Sequence, residues 1–540
     1  MPLQSLTESG WNPEEPGVGS PHRMFHSVLF GETPNDTPAT SGEVPDYFSD
    51  LNLDQIVEAL AAGRDEYDLK TFFYQPLVGI DQIRDRQKVF HDLECQPLFK
   101  SIQSFAVAMR QMRSRIAQAE KFYYAYQKQA LFLDAVVIYC NALSQLATGL
   151  ASSDLGSRGF QGFRDYLIAY VRSRSFRELS NEAAELRSDL NCVQYSLQIH
   201  GRRITVVTCG DEADFSAEVL RTFERFRQGA SKTYQFRSSS WSEMNHIEAA
   251  IVERVARLYP KVFARLEDFP KRHSDYLDDV IARFDREVQF FVAYIEFKRK
   301  IESAGLRFCY PEVLRSKDVH CNDTFDLALA TKLVEARRSV VTNSFYLKGQ
   351  ERILVISGPN QGGKTTFART FGQLHHLGCL GCPVPGTDAK LPVFDKLYTH
   401  FERREDLQNL SGKLEDELNR IHGVLERATG DSILIMNESF LSTTVNDALF
   451  LSKEILRRIL GLDMLCVTVT FLDELSTLGA ATVSMVSTID PKDPAIRTFK
   501  IIRKPADGRA YAAAIAEKYQ LTADAIVGRI AANAKEGHPS

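Results

Sequence analysis

Apolar side chains recur every three or four positions through much of the first half of the chain. This spacing is the helical period, and between about residues 51 and 190 it predicts a helical domain. It returns over 247–266 and 277–295, which we expect to form an antiparallel pair of long helices, with Pro260 kinking the first. Residues 193–207 instead alternate in the manner of a small β-hairpin.

The second half of the chain has a different pattern. After Pro311 a connector leads to short apolar runs that alternate with helix-like segments. Such alternation is typical of an α/β domain whose sheet is covered by helices. The predicted strands are 353–357, 397–401, 432–436, 464–468, 482–487 and 498–502.

Composition indicates an ordinary globular protein with several domains. Its 540 residues are too many for one core, and a net charge of −5 gives no bulk signal for nucleic acid. Nine scattered cysteines and no secretory pattern at the N-terminus favour a reduced, cytoplasmic setting. No uninterrupted apolar run approaches the roughly 18 residues that cross a bilayer, so we expect no membrane role.

The strongest chemical signal is a phosphate-binding loop of the form G-x-x-x-x-G-K-[ST] after the strand 353–357. Its glycines let backbone N–H groups face a polyphosphate, and the helix predicted over 366–377 presents its positive N-terminus. Lys364 is expected to reach the β- and γ-phosphates of ATP, and Thr365 to hold Mg²⁺. The predicted nucleotide-binding loop consists of Gly358, Pro359, Asn360, Gln361, Gly362, Gly363, Lys364, Thr365 and Thr366.

A polar pair, Asn437 and Glu438, ends the apolar strand near 433–436. In ATPases with a phosphate loop, the Mg²⁺-side residue and the base that activates water lie at such a strand end. Glu438 is therefore the predicted catalytic base, acting with Lys364, and Asn437 is assigned to the metal. A plain strand terminus is the alternative, and the phosphate loop makes it the weaker one.

Basic side chains are concentrated in the predicted hairpin and just after it. Such a cluster can grip nucleic-acid phosphates without reading sequence, but it can also be an ordinary solvated face. Both interpretations stay open, and the backbones of DNA and RNA would suit the cluster alike. The residues are Arg202, Arg203, Arg221, Arg225, Arg227, Lys232 and Arg237.

Cys379 and Cys382 form a C-x-x-C pair, a pattern that can bind zinc or carry out redox chemistry. A zinc site needs two more ligands, and the nearest candidates, His375 and His376, precede the pair on the same predicted helix. We favour the plainer interpretation, in which the cysteines are small buried residues at a helix end.

Three groups of residues resemble the MutS family, whose nucleotide domain is of the ABC type. One is the phosphate loop, 358–366. Another is the acidic segment 405–417, which is similar in spacing to the family's D-D-L segment and the signature after it. The third is 470–475, where the family has a T-H-x-x-E-L switch. The resemblance covers about residues 50–530.

The resemblance implies a multidomain protein. α-Helical core and lever domains with a small β insertion would precede an α/β ABC-type P-loop ATPase domain, without a counterpart of the family's mismatch-reading and connector domains. The predicted divisions are a flexible tail (1–45) with one ordered piece near 24–30, a helical core (46–192), a clamp-like β insertion (193–245), a helical lever hairpin (246–310) and the ATPase domain (311–540).

The resemblance also implies partners and site residues. Two ABC-type sites meet head to tail, so a homodimer is expected in which Ser411 and Gly412 close the partner's nucleotide site, with Asn343 on the adenine side. The implied partner is DNA, held by a nucleotide-gated clamp in mismatch repair or related DNA repair and recombination. Asn437 in place of Asp and Phe471 in place of His favour slow hydrolysis. The alternative is a relative that acts on RNA, ribosomes or a protein partner.

Overall fold

The computed structural model describes residues 25–31, 42–209, 244–402, 412–490, 492–493 and 496–506, together with 521, 523, 526 and 527. The first part is helical, as the apolar spacing predicts. Serine side chains cap two of these helices, where Ser157 and Ser173 accept hydrogen bonds from first-turn N–H groups. The helices are α1 (Tyr47–Asp50), α2 (Leu53–Ala61), α3 (Ile80–Glu94), α4 (Gln96–Lys121), α5 (Ala125–Ala151), α6 (Arg158–Arg172) and α7 (Arg174–Asn191).

Helix α5 lies inside this helical part, where α4, α6 and α7 pack against it. Among the described residues it is the one helix long and apolar enough to cross a membrane. However, 56% of its most apolar window is buried in the protein. The burial explains the apolar composition, because a core helix needs apolar side chains on most of its faces.

A short N-terminal segment packs on the helical core. Val28 and Leu29 are buried, and the carboxylate of Glu287 accepts hydrogen bonds from Ser27 Oγ (2.8 Å) and the Val28 N–H (2.9 Å). The Arg86 Nε donates to the Leu29 carbonyl at 2.8 Å. These bonds hold residues 27–29 against the helical core.

The predicted hairpin is present, with strands β1 (Tyr195–His200) and β2 (Arg203–Thr208) paired antiparallel. Helices α8 (His246–Leu258), α9 (Pro260–Arg272) and α10 (Asp279–Glu302) follow. The prediction that Pro260 kinks one long helix is wrong. Pro260 instead begins a separate helix, because its missing N–H has no partner to lose at the first helical position.

The segment predicted as a connector after Pro311 instead forms much of a second sheet. The elements are β3 (Phe308–Cys309), β4 (Glu312–Leu314), β5 (Val319–Thr324), α11 (Leu327–Glu335), β6 (Asn343–Leu347), β8 (Val384–Pro385) and β9 (Asp388–Pro392). The strand order is β4-β9-β5-β6, while β3 pairs with β8. The strands are short, and β4 pairs with β9, which lies far along the chain, so local periodicity does not reveal them.

The main sheet has six strands: β7 (Ile353–Ser357), β10 (Leu397–Phe401), β11 (Ile433–Asn437), β12 (Leu465–Val469), β13 (Thr482–Ile489) and β14 (Arg497–Arg503). Their order in the sheet is β10-β11-β12-β7-β13-β14. The ends of all six lie within two residues of the predicted ends, and only β14 runs antiparallel to its neighbour. The helices of this part are α12 (Lys364–Cys379), α13 (Lys413–Arg427) and α14 (Val445–Gly461).

The main sheet is covered on both faces. Every residue of β7, β11 and β12 is buried. Alternate residues face different apolar clusters: Leu354 and Ile435 join the cluster that contains α10 and α12, whereas Val355 and Leu434 join the one that contains α13 and α14. Burial on both faces explains why these strands are continuous apolar runs.

The C-x-x-C pair lies where α12 ends. Cys379 and Cys382 are fully buried, and burial raises the pKa of the Cys379 thiol to about 12. The neighbouring His376 binds the Phe73 carbonyl through Nε2 (2.9 Å) and the Tyr47 hydroxyl through Nδ1 (3.1 Å). Within the described part of the chain, no group of three or more His, Cys, Asp or Glu residues is arranged to hold a metal ion.

Candidate nucleotide site

Three parallel strands, β7, β11 and β12, end at one edge of the main sheet, the edge at which α/β proteins bind ligands. Hydrogen bonds join the residues that follow these strands. The Glu438 N–H donates to the Val469 carbonyl at 2.9 Å, and the Thr470 N–H donates to the Ile356 carbonyl at 3.0 Å. The phosphate loop after β7 and the polar end of β11 therefore lie at the same edge of the sheet, with the end of β12 between them.

The loop glycines are required by the backbone and by the neighbouring strand β13. Gly358 has φ +116°, and a Cβ there would lie 2.9 Å from the Ser487 carbonyl oxygen. A Cβ on Gly362 would collide with the Ser487 hydroxyl, which donates to the Gly362 carbonyl at 2.7 Å. Gly363 has φ +90°, a conformation that a side chain rarely adopts. The loop fits closely between β7 and β13.

Lys364 begins α12 and is almost fully buried. Its Nζ donates to the carbonyls of Gly358 (2.9 Å) and Pro359 (3.3 Å), so the ammonium lies within the loop. Burial lowers the pKa of Lys364, although the nearby Glu438 carboxylate opposes that shift. The ring centroid of Phe471 lies 4.5 Å from Nζ, so Phe471 makes a cation–π contact with the loop lysine.

Thr365 and Asn437 connect the loop to β11. The Thr365 hydroxyl donates to Asn437 Oδ1 at 2.9 Å. Hydroxyl and amide oxygens are hard ligands of the kind that Mg²⁺ prefers, and the Thr365 oxygen keeps its lone pairs while donating this bond. The two residues therefore fit a magnesium site next to a phosphate, with Asn437 adding no negative charge.

A cavity of about 440 Å³ adjoins the loop. The predicted loop residues from Gln361 to Thr366 and the predicted base Glu438 belong to its lining. The rest of the lining mixes apolar and polar side chains, and a ligand pocket uses the first for packing and the second for orientation. The apolar members include Leu329, Leu333, Val340, Val341 and Phe499, and the polar members include Asp326, Arg338 and Asn343.

Asn343 borders this cavity, but its side-chain amide binds β14. Nδ2 donates to the Phe499 carbonyl at 3.1 Å, and Oδ1 accepts from the Ile501 N–H at 2.8 Å. Asn343 thus positions β14 with both amide atoms, and its contact with adenine stays a prediction. The apolar residue that sequence reasoning missed is Phe499, whose φ of +58° is unusual for a strand residue. No local pattern marks it, because it reaches the loop only through the pairing of β13 with β14.

The remaining predicted site residues lie elsewhere. Gly412 is exposed, precedes α13 and does not line the cavity. Arg202 and Arg203 are exposed at the tip of the hairpin. Outside the described residues lie Ser411, Arg221, Arg225, Arg227, Lys232 and Arg237.

Comparison with known proteins finds a family match in the last third of the chain. Residues 354–536 match the family model described as MutS domain V. Over 225 residues, 40% of this chain, the sequence is 26% identical to the DNA mismatch repair protein MutS of Thermotoga maritima, of which the match covers 27%. Over 119 residues, 22% of this chain, it is 31% identical to the DNA mismatch repair protein MutS of Halalkalibacterium halodurans, of which the match covers 14%. The matched part of the chain thus spans less than a third of either relative.

Proposed function

We propose that this chain, a member of the MutS family, binds ATP with Mg²⁺ at residues 358–366 and hydrolyses the ATP slowly. The bound nucleotide then controls how the protein holds DNA. The observation that carries the ATPase proposal is the 2.9 Å hydrogen bond between Thr365 and Asn437. That bond brings the phosphate loop to the strand end that bears Glu438. Lys364, Thr365 and Glu438 line one cavity, and Asn437 is hydrogen-bonded to Thr365 at its margin.

Each side chain has a role in this chemistry. Lys364 and the loop N–H groups would stabilise charge on the phosphate oxygens, and Glu438 would orient the attacking water and accept its proton. Thr365 and Asn437 would hold Mg²⁺, which when bound withdraws charge from the phosphates. Because Asn437 is neutral, its hold on a divalent cation is weaker than that of an aspartate, and this supports slow rather than rapid turnover.

The dimer and the DNA grip rest on the family resemblance and on exposed residues. Gly412 is exposed and outside the cavity, as a residue that closes the partner's site would be. Arg202 and Arg203 project at the hairpin tip, where they would contact backbone phosphates without reading sequence. A cytoplasmic homodimer that acts in DNA mismatch repair or related repair is the resulting proposal.

The test measures binding of the purified chain to homoduplex, mismatched and branched DNA and to structured RNA. Each substrate is titrated with and without ATP, across a salt series, and ATP hydrolysis is followed in parallel. DNA binding that changes with ATP, in a protein that hydrolyses ATP and dimerises with it, is the expected result. A clear preference for RNA would favour the alternative partner, and a protein that binds no ATP would refute the whole proposal.

A further inference from the structure

The turn after β11 holds two non-glycine residues in the left-handed backbone region. Glu438 has φ +55° and Phe440 has φ +63°. A side chain makes this conformation unfavourable, so other contacts must maintain it. For Glu438 one such contact is the bond from its N–H to the Val469 carbonyl at 2.9 Å.

For Phe440 the contact comes from another element. Its N–H donates to Glu417 Oε2 at 3.1 Å, and Glu417 belongs to the second turn of α13. Glu417 is 3% exposed, and the fully buried Phe440 ring shares an apolar cluster with Ile421 and Leu425 of the same helix. Burial raises the pKa of the Glu417 carboxyl, while the Phe440 N–H opposes that shift. An apolar side chain in place of Glu417 would leave the Phe440 N–H buried without this acceptor.

We propose that Glu417 is a positioning residue that holds the backbone of Phe440 and thereby aims the Glu438 carboxylate at the phosphate loop. The proposal rests on the proposed function, in which Glu438 activates water. Glu417 also lies five residues after Gly412, on the helix that Gly412 precedes. A change at the start of α13 therefore has a direct hydrogen-bonded route to the catalytic turn.

The experiment compares substitutions at Glu417 in the full-length protein. Glu417→Met keeps helix propensity and approximate volume but removes the acceptor, whereas Glu417→Gln keeps an acceptor oxygen without the charge. Glu417→Asp keeps the charge but shortens the side chain, and it serves as the second disrupting variant should the methionine variant not fold. Glu415→Met, at an exposed position of the same helix, is the matched control.

Two readouts separate positioning from simple stability. The first is amide hydrogen exchange at Phe440, which reports the hydrogen bond itself. The second is a comparison of two quantities, the kcat of ATP hydrolysis and the dissociation constant of ATP. In Glu417→Met, exchange at Phe440 should be faster by about tenfold or more, and kcat should fall by about tenfold while ATP affinity stays within about twofold. Glu417→Gln and the Glu415→Met control should behave as the parent protein.

Unchanged exchange at Phe440 in both disrupting variants would overturn the proposal. So would equal losses of kcat in Glu417→Gln and Glu417→Met, since equal losses would assign the effect to the charge rather than the hydrogen bond. If the parent protein hydrolyses no ATP, the proposed function fails, and the exchange measurement still decides whether Glu417 holds the turn. In the Glu438→Gln protein, adding Glu417→Met should lower the residual rate no further.

Discussion

The edge of the main sheet and the hairpin at residues 195–208 are built in opposite ways. In the sheet, every residue of β7, β11 and β12 is buried, and Asn437 of β11 and Ser487 of β13 make hydrogen bonds to the phosphate loop. In the hairpin no residue is buried, and Tyr195, Leu197 and Ile199 leave 43%, 43% and 68% of their surfaces exposed on one face.

This difference matches the chemistry proposed for each region. Water activation requires that a carboxylate, a lysine and metal ligands keep fixed mutual positions, and dense packing provides that. A grip on phosphates requires only positive charge at an accessible place. Substitutions at the sheet edge should therefore have large, position-specific effects, whereas those in the hairpin should act through charge.

The largest expected effect is at the catalytic turn. Glu438→Gln should lower ATP turnover by about 100-fold or more, because a general base contributes roughly that factor, while ATP affinity stays nearly unchanged. Steady-state hydrolysis and equilibrium ATP binding measure the two quantities. Arg203→Gln in the hairpin is the control and should hydrolyse ATP at the parental rate. A Glu438→Gln protein as active as the parent would remove Glu438 as the base.

Acid should weaken the region around α12. Burial lowers the pKa of both His375 and His376 to about 4. In the unfolded chain these side chains have a pKa near 6.5, so between pH 6.5 and 4 the unfolded chain binds more protons than the folded protein does. The free energy of unfolding therefore falls as the pH falls through this window. Each histidine should lower the free energy of unfolding by about 2 kcal/mol between pH 7 and pH 5.

Urea unfolding at pH 7, 6 and 5 measures this loss. His376→Phe removes one titrating group at a site where Tyr47 and Phe48 already meet the ring edge to face, so the acid-induced loss should be about 2 kcal/mol smaller than in the parent. The control is His200→Phe, at an exposed position of the hairpin. An undiminished pH dependence in His376→Phe would contradict the assignment.

The same substitution at two glycines tests the packing difference directly. Gly201→Ala, in the hairpin turn, places Cβ where no atom lies within 4 Å. Only the positive φ of +59° makes this substitution unfavourable, and it should lower the free energy of unfolding by about 1 kcal/mol. Gly358→Ala also has a positive φ, and its Cβ would lie 2.9 Å from the Ser487 carbonyl oxygen. This substitution should lower the free energy of unfolding by about 3 kcal/mol. Urea unfolding of both variants gives the comparison, and equal losses would mean that the loop is not tightly packed.

The smallest expected effect on the fold comes from reversing charges in the hairpin. Arg202→Glu with Arg203→Glu should leave stability and ATP binding unchanged but lower DNA affinity by about tenfold and reduce the salt slope by about two. Fluorescence anisotropy across a salt series measures both. Arg174→Glu with Arg177→Glu, at exposed positions of α7, is the charge-matched control. An equal loss of DNA affinity in the control would mean that the effect comes from the change in net charge and not from the position of Arg202 and Arg203.

Local patterns predicted much of this molecule. The central strands β7, β11 and β12 of the main sheet were predictable because each is a short, mainly apolar run. The loop 358–366 was predictable because its residue types are required at a fixed spacing. The effect of Pro260 was not, since a proline that kinks a helix and one that begins a helix look alike in sequence. The second sheet was missed because Glu312–Leu314 pairs with residues 390–392, too far along the chain for local periodicity.

The sequence by itself determined the helical character of the first part, the order of the six main-sheet strands and the chemical parts of the nucleotide site, because hydrophobic period and motif spacing are properties of neighbouring residues. Tertiary structure alone decided how those parts meet: Thr365 with Asn437, Phe471 over Lys364, Asn343 against β14 and Glu417 under Phe440. These pairs join residues between 23 and 158 positions apart. Contacts across such distances depend on how strands and helices pack, which no local pattern contains.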